Sequence, residues 1–143
     1  MNFKTLKLLI SLIGIFSILL VGCSNDLQNT ELSIVVEKRI GDENNYEDFR
    51  EVTDNEQVQK LKEILKDANW INAKAEMVTP PDYRFAFRFK NPNIEAKAVL
   101  YELWITPNID KVVLIGGNQY VKLDIDKSAE LFKIVTGEEL TDQ

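Results

Sequence analysis

Carboxylates are the only abundant side chains in this sequence that do chemistry unaided. Asp42, Glu43, Glu47 and Asp48 fall within a stretch of seven residues. Carboxylates so close together suit acid–base work on a glycosidic bond, or the holding of a hard cation such as calcium. The ligand spacing of an EF-hand is absent, and charge runs of this kind ordinarily form a solvated turn. Asp124 and Asp126 stand just ahead of an apolar-periodic run, where an acidic residue caps a helix. The other tools of catalysis are missing. There is no histidine in 143 residues, which excludes Ser-His-Asp and Cys-His mechanisms and His-ligated metals. Beyond residue 22 the serines are Ser24, Ser33 and Ser128, and none sits in a G-x-S-x-G or S-x-x-K motif. Gly116-Gly117 lacks the following lysine and helix of a phosphate loop. These absences lead to the expectation of a non-catalytic protein with no metal and no cofactor.

The charge balance narrows the partners. Seventeen Lys and Arg against 23 Asp and Glu give a net charge of −6, without the basic footprint of a nucleic-acid binder. Hydrophobic residues at 45% and charged residues at 28% belong to a chain that buries a core. The single cysteine, Cys23, permits no intramolecular disulfide and no thiolate cluster.

That cysteine sits at an informative place. Lys4 and Lys7 precede the uncharged run Leu8–Leu20, and Leu20-Val21-Gly22-Cys23 follows. A positive start, a short apolar stretch and a small residue at the end are the anatomy of a secretory signal peptide. The apolar run Leu8–Val21 is 14 residues. A membrane-spanning helix needs about 20.

The ending resembles the lipobox of bacterial lipoprotein precursors. The resemblance implies a diacylglycerol on the Cys23 sulfur, cleavage before Cys23, acyl chains such as palmitate, and a protein facing outside the cytoplasm. Residues 1–22 are then the signal peptide and 23–30 the lipidated cysteine with a polar tether. Residues 31–143 form a single domain. Losing residues 1–22 removes two lysines and no acid, so 15 basic against 23 acidic residues leave −8. Such a chain gains little from an anionic bilayer by charge, and the lipid must do the anchoring. The seven tether residues Ser24–Thr30 span at most about 25 Å.

The elements that position these residues follow from periodicity. Leu32–Ile40 is rich in β-branched residues and reads as a strand, with Tyr46–Val52 as its hairpin partner. Thr53 and Glu56 offer a capping box for a helix over 54–68, with Val58, Leu61, Leu65 and Ala68 at helical spacing and Ile64 on the stripe edge. Tyr83, Phe85, Phe87 and Phe89 alternate with Arg84, Ala86, Arg88 and Lys90, the period of a half-buried strand. Ala96–Thr106 is the next strand, with Val99, Tyr101, Leu103 and Ile105 inward. Two more strands, 111–115 and 119–123, flank Gly116-Gly117-Asn118. A last helix, capped by Asp124 or Asp126, ends at Gly137. The expectation is an α+β fold: an antiparallel sheet of five to six strands with both helices on one face, in the order β-β-α-β-β-β-β-α.

Pro81-Asp82-Tyr83, Leu103-Trp104-Ile105 and Tyr120-Val121-Lys122-Leu123 give residues 80–135 a likeness to the short YhfM-like lipoproteins of Gram-positive bacilli. The chain resembles that family in these motifs. The resemblance implies a lipoprotein and brings no catalytic residues with it.

The sheet face opposite the core carries Arg84 and Arg88, then Glu102 and Trp104, then Tyr120 and Lys122. Trp104 is a large apolar surface among charges, and tryptophan is enriched where proteins bind. Trp104, Tyr120, Arg88, Glu102 and Lys122 are therefore the expected binding face, with Arg88 and Glu102 a cross-strand pair. A loop such as Ile71–Thr79 folded over Trp104, or self-association of the sheet, is the competing reading. The function expected is a membrane-anchored binding domain for a protein or envelope component. An inhibitor or accessory of an envelope enzyme is the alternative, ahead of a carboxylate-dependent hydrolase.

Overall fold

The computed structural model describes residues 31–95 and 98–142. The expected signal segment, Cys23 and the expected tether lie outside the described residues. Strands β1 (Leu32–Arg39) and β2 (Tyr46–Val52) form a hairpin, followed by helix α1 (Asn55–Asp67). Strands β3 (Tyr83–Phe89), β4 (Tyr101–Ile105), β5 (Val112–Gly116) and β6 (Gln119–Lys122) come next, then helix α2 (Ile125–Thr136) and a 3-10 turn at Leu140–Asp142. All pairings are antiparallel, in the order β2-β1-β3-β4-β5-β6. This is the expected α+β fold, with six strands.

Alternation decides which side chains meet the helices. Ile34 and Val36 on β1, Tyr83 and Phe85 on β3, Leu103 on β4, and Val112 and Leu114 on β5 are buried. They pack with Val58, Leu61, Ile64 and Leu65 of α1 and with Leu131, Phe132 and Val135 of α2. Ile64, placed on the edge of the stripe by periodicity, is fully inside. Tyr83 meets the Phe132 ring edge-on at 5.8 Å, and Phe85 stacks on Tyr101 at 5.2 Å. Tyr101 in turn lies so close to Gly116 that a Cβ there would come within 2.8 Å of its ring. The small residue makes room for the large one across the β4–β5 pair.

Helix ends are set by side chains. Asp54, not Thr53, caps α1: its Oδ1 accepts the Gln57 N–H at 2.9 Å. Asp124 caps α2, accepting from Lys127 N–H at 2.8 Å. Gly137 ends α2 in the left-handed region at φ 77°, donating its N–H to the Lys133 carbonyl, a conformation costly for a residue with a Cβ. Ser128 is a structural hydroxyl: fully buried, it accepts from Val112 N–H at 3.0 Å and ties α2 to β5.

One residue joins three strands. The Asp82 carboxylate accepts from Arg39 Nη2 at 2.9 Å and from the Ile105 N–H at 2.8 Å. Its backbone accepts from Arg39 N–H at 3.0 Å and donates to the Leu103 carbonyl at 2.8 Å.

Strand β4 departs from expectation. It begins at Tyr101, leaving Ala98–Leu100 outside it; Ala96 and Lys97, expected within it, lie outside the described residues, and its pairing with β3 stops at Phe85↔Tyr101. An Asx turn explains the divergence. Asn91 accepts from Asn93 N–H through its side chain and from Ile94 N–H through its carbonyl, directing the chain off the ladder. Val99 is consequently 51% exposed instead of inward. Phe87 is only partly buried, meeting the Tyr101 ring edge-on at 6.3 Å and lining the cleft beyond it.

Leu103→Ala is expected to cost about 2–5 kcal/mol, and Phe87→Ala distinctly less, because the penalty scales with the buried volume lost. Chemical denaturation of the two variants checks this; equal losses would contradict the burial difference.

Candidate binding face

The face turned away from the helices divides into two halves with different fates. Over β4, β5 and β6 it is partly covered, with Trp104 buried, Glu102, Ile115 and Tyr120 half-buried and Lys122 exposed. The segment 71–81 crosses the strands as an extended strap. At one end Ile71 and Tyr120 exchange backbone hydrogen bonds at 2.9 and 3.1 Å, so the strap adds one bridge to the β6 edge. Gln119 donates to the Asn72 side chain at 2.5 Å. At the other end the Trp104 indole N–H donates to the Thr79 carbonyl at 2.8 Å.

Trp104 is therefore not the open apolar surface that its charged neighbours suggested. It is 6% exposed, shut under the strap with its one polar atom satisfied. Tyr120 is half-buried beside Ile71, and Lys122 is exposed near the β6 edge. The expected Trp104–Tyr120 centre does not exist as a surface.

Over β2, β1 and β3 the face is open. Val35 and Ala86 stand opposite one another on the outer side of β1 and β3. They floor a cleft of about 470 Å³ walled by Glu37, Asp48, Glu51, Arg84, Arg88 and Leu100. Arg88 pairs with Glu51 at 2.8 Å, and the buried Ser33 hydroxyl donates to the same carboxylate oxygen at 2.9 Å. These contacts, the Ser33 hydroxyl first and the Arg88 guanidinium second, hold the Glu51 carboxyl below its usual range.

Arg88 thus finds Glu51 across the sheet, not Glu102. The register puts Arg84 opposite Glu102, and these two lie 3.7 Å apart. The Arg84 guanidinium also stacks 3.7 Å above the Tyr46 ring and donates to the Asn44 side chain at 2.8 Å. Its Nε–H is buried and has no acceptor among the described residues. Fixed charges of both signs around a small apolar floor suit a polar partner strand or loop better than a small apolar molecule.

The acidic residues of the first hairpin, Asp42, Glu43, Glu47 and Asp48, are all exposed. Among the described residues no group of three acidic, histidine or cysteine side chains is placed to hold a metal ion. The alternation of β3 already set Ala86 on this side, while Val35, Ser33 and Glu51 were not among the expected members of the face. The signal for Val35 was present: Ile34-Val35-Val36 is apolar on consecutive residues, so one of the three has to point away from the core.

A family model described as YhfM protein matches residues 28–140. No curated protein and no solved structure matches the chain.

Two outcomes follow from this geometry. Trp104→Ala should destabilise the fold by about 3–5 kcal/mol, as for other buried tryptophans; a change below about half a kcal/mol in denaturation would mean that the strap does not pack on it. The Glu51 carboxyl, lower in the folded state than in the unfolded chain, adds stability that is complete above the unfolded value. That stability is lost as pH falls through the folded value. Ser33→Ala should move the Glu51 titration upward when followed by carboxyl-carbon NMR against pH, and an unmoved titration would detach Ser33 from the carboxylate.

Proposed function

We propose that this chain, which belongs to the YhfM family, is a lipoprotein anchored through Cys23 on the outer side of the cell membrane, where its folded part is a non-catalytic binding domain. The observation that carries the anchor is Leu20-Val21-Gly22-Cys23 after a positively charged start and a 14-residue apolar run. A chain with one cysteine placed at that point has a use for it as an acyl acceptor and none as a disulfide half.

The binding role is supported by the open half of the outer face. Helices α1 and α2 are committed to the other side of the sheet, and the strap lies over Trp104 and along Tyr120. The surface of β2, β1 and β3 is left with an apolar floor and charges held by defined partners. A partner reading that surface is fixed in register by Arg84 and Arg88 on one side of the floor and Glu37 and Glu51 on the other. The absence of histidine and of serine motifs supports a domain that binds rather than transforms. The partner class is an envelope protein or peptide, met at the membrane surface.

Cys23→Ala should abolish acylation and release the protein from the membrane, read by intact mass and by fractionation. A membrane-extracted wild type lacking acyl mass, or retaining residues 1–22, would overturn the anchor. In intact cells carrying a photocrosslinker at Ala86, Arg88→Glu should suppress the crosslinked adduct with thermal stability nearly unchanged, because exposed ion pairs contribute little to folding. Persistence of the same adduct would move the binding surface elsewhere.

A further inference from the structure

The divergence of β4 from β3 leaves an apolar opening at one end of the sheet. β3 continues to Phe89 beside β1, while its pairing with β4 ends at Phe85. Between the free stretch of β3 and the segment leaving the Asn91 turn lies a cleft of about 500 Å³ lined by Leu32, Phe87, Phe89, Ile94 and Val99. Val99 is 51% exposed and its neighbour Leu100 is 47% exposed. Val99 rims this cleft while Leu100 walls the neighbouring β2-β1-β3 cleft, and an adjacent pair of large apolar residues open to this degree marks a surface that meets something other than water.

The chain's entry point says what that is. Leu32 pairs with Phe89, and the carbonyl of Glu31 accepts the Lys90 N–H at 2.8 Å. The domain therefore begins at this same apolar end. Only the seven residues Ser24–Thr30 separate it from Cys23, at most about 25 Å of chain. We infer that the Leu32–Phe89–Val99 end of the domain rests against the phospholipid surface to which Cys23 is anchored, its apolar side chains entering the headgroup region. This inference rests on the proposed lipid anchor.

The energetics fit an anchored domain and not a free one. A few half-exposed side chains, in a domain whose net charge is negative, are too little to hold an independent protein on a bilayer. A short tether turns the contact into an intramolecular one, and a weak affinity then keeps the end seated. The opposite end of the sheet, with the exposed Pro107-Asn108 turn, points away from the membrane.

The test uses the lipidated full chain reconstituted into phosphatidylethanolamine–phosphatidylglycerol vesicles. With Cys23 blocked by its lipid, Val99→Cys or Asn108→Cys supplies the single thiol for an environment-sensitive maleimide dye. Both positions are exposed, so neither substitution tests the core. The expected result is blue-shifted emission at position 99, and several-fold stronger quenching there than at 108 by lipids carrying a nitroxide on a shallow acyl carbon. Equal quenching at the two positions, or none at 99, overturns the inference. A blue shift at 99 without lipid quenching also overturns it, and marks a second protein copy or a peptide as the occupant. Dye labelling of the parent chain, which has only Cys23, reads the anchor separately. A labelled parent means that Cys23 is free and the lipid-anchor reading itself has failed. An unlabelled parent with no quenching at 99 means that the anchor holds and the seating is wrong.

Discussion

Asp82 is the residue on which the two halves of the sheet depend. β1 and β3 pair along seven residues, but β3 and β4 pair along only three. A seam that short has few ladder bonds of its own. Asp82 stands at its end and makes four hydrogen bonds, two to Arg39 on one side and one each to Leu103 and Ile105 on the other. Its neighbours extend the junction in both directions. The Pro81 carbonyl accepts from the Tyr46 hydroxyl at 2.7 Å on the outer side, and the Tyr83 ring enters the core against Phe132. Loss of the carboxylate would leave an arginine and a strand N–H without their acceptor in a partly buried place, which costs more than the bonds themselves are worth.

Two helices cover one face of six strands, and everything notable about the other face follows from that shortage. A sheet face left to water has to be polar or else be covered by chain that is not helix. Both solutions appear side by side. The strap closes over Trp104, bridged backbone to backbone with Tyr120 at one end and accepting the Trp104 indole N–H at the Thr79 carbonyl at the other. Across the seam, Ser33, Glu51 and Arg88 satisfy one another around the outward Val35 and Ala86.

The alternation of Tyr83–Phe89 and the helical spacing of Val58, Leu61 and Leu65 made the layers, the strand order in the chain and the inner face legible from residue types alone. Local chemistry was harder to read. Thr53 and Asp54 are both good caps, and the backbone chose the one whose carboxylate reaches Gln57. Trp104 was misread because what hides it has no pattern. Residues 71–81 are mostly exposed, Val78 completely so, and the strap is held by carbonyls and amides that every residue possesses. A binding face cannot be told from a covered one by side-chain identity when the cover works through backbone. The early end of β4 has a similar cause: the residues from Ala98 onward are compatible with a strand, but the Asn91 turn aims the chain elsewhere.

The position of β1 has a mechanical meaning. It is the first strand after the N-terminal segment, yet it lies inside the sheet, bonded along its length to β2 on one side and β3 on the other. A pull transmitted through residue 31 along the strand loads both ladders in shear, so many hydrogen bonds must slip together before the strand moves. Were the same segment joined to an edge strand such as β6, bonded mainly on one side, a pull across the strand would peel the bonds one after another. The chain thus enters its fold through the strand best placed to carry load, and a pull applied between residue 31 and β2 or β3 stays within those three strands instead of crossing the short seam at Asp82.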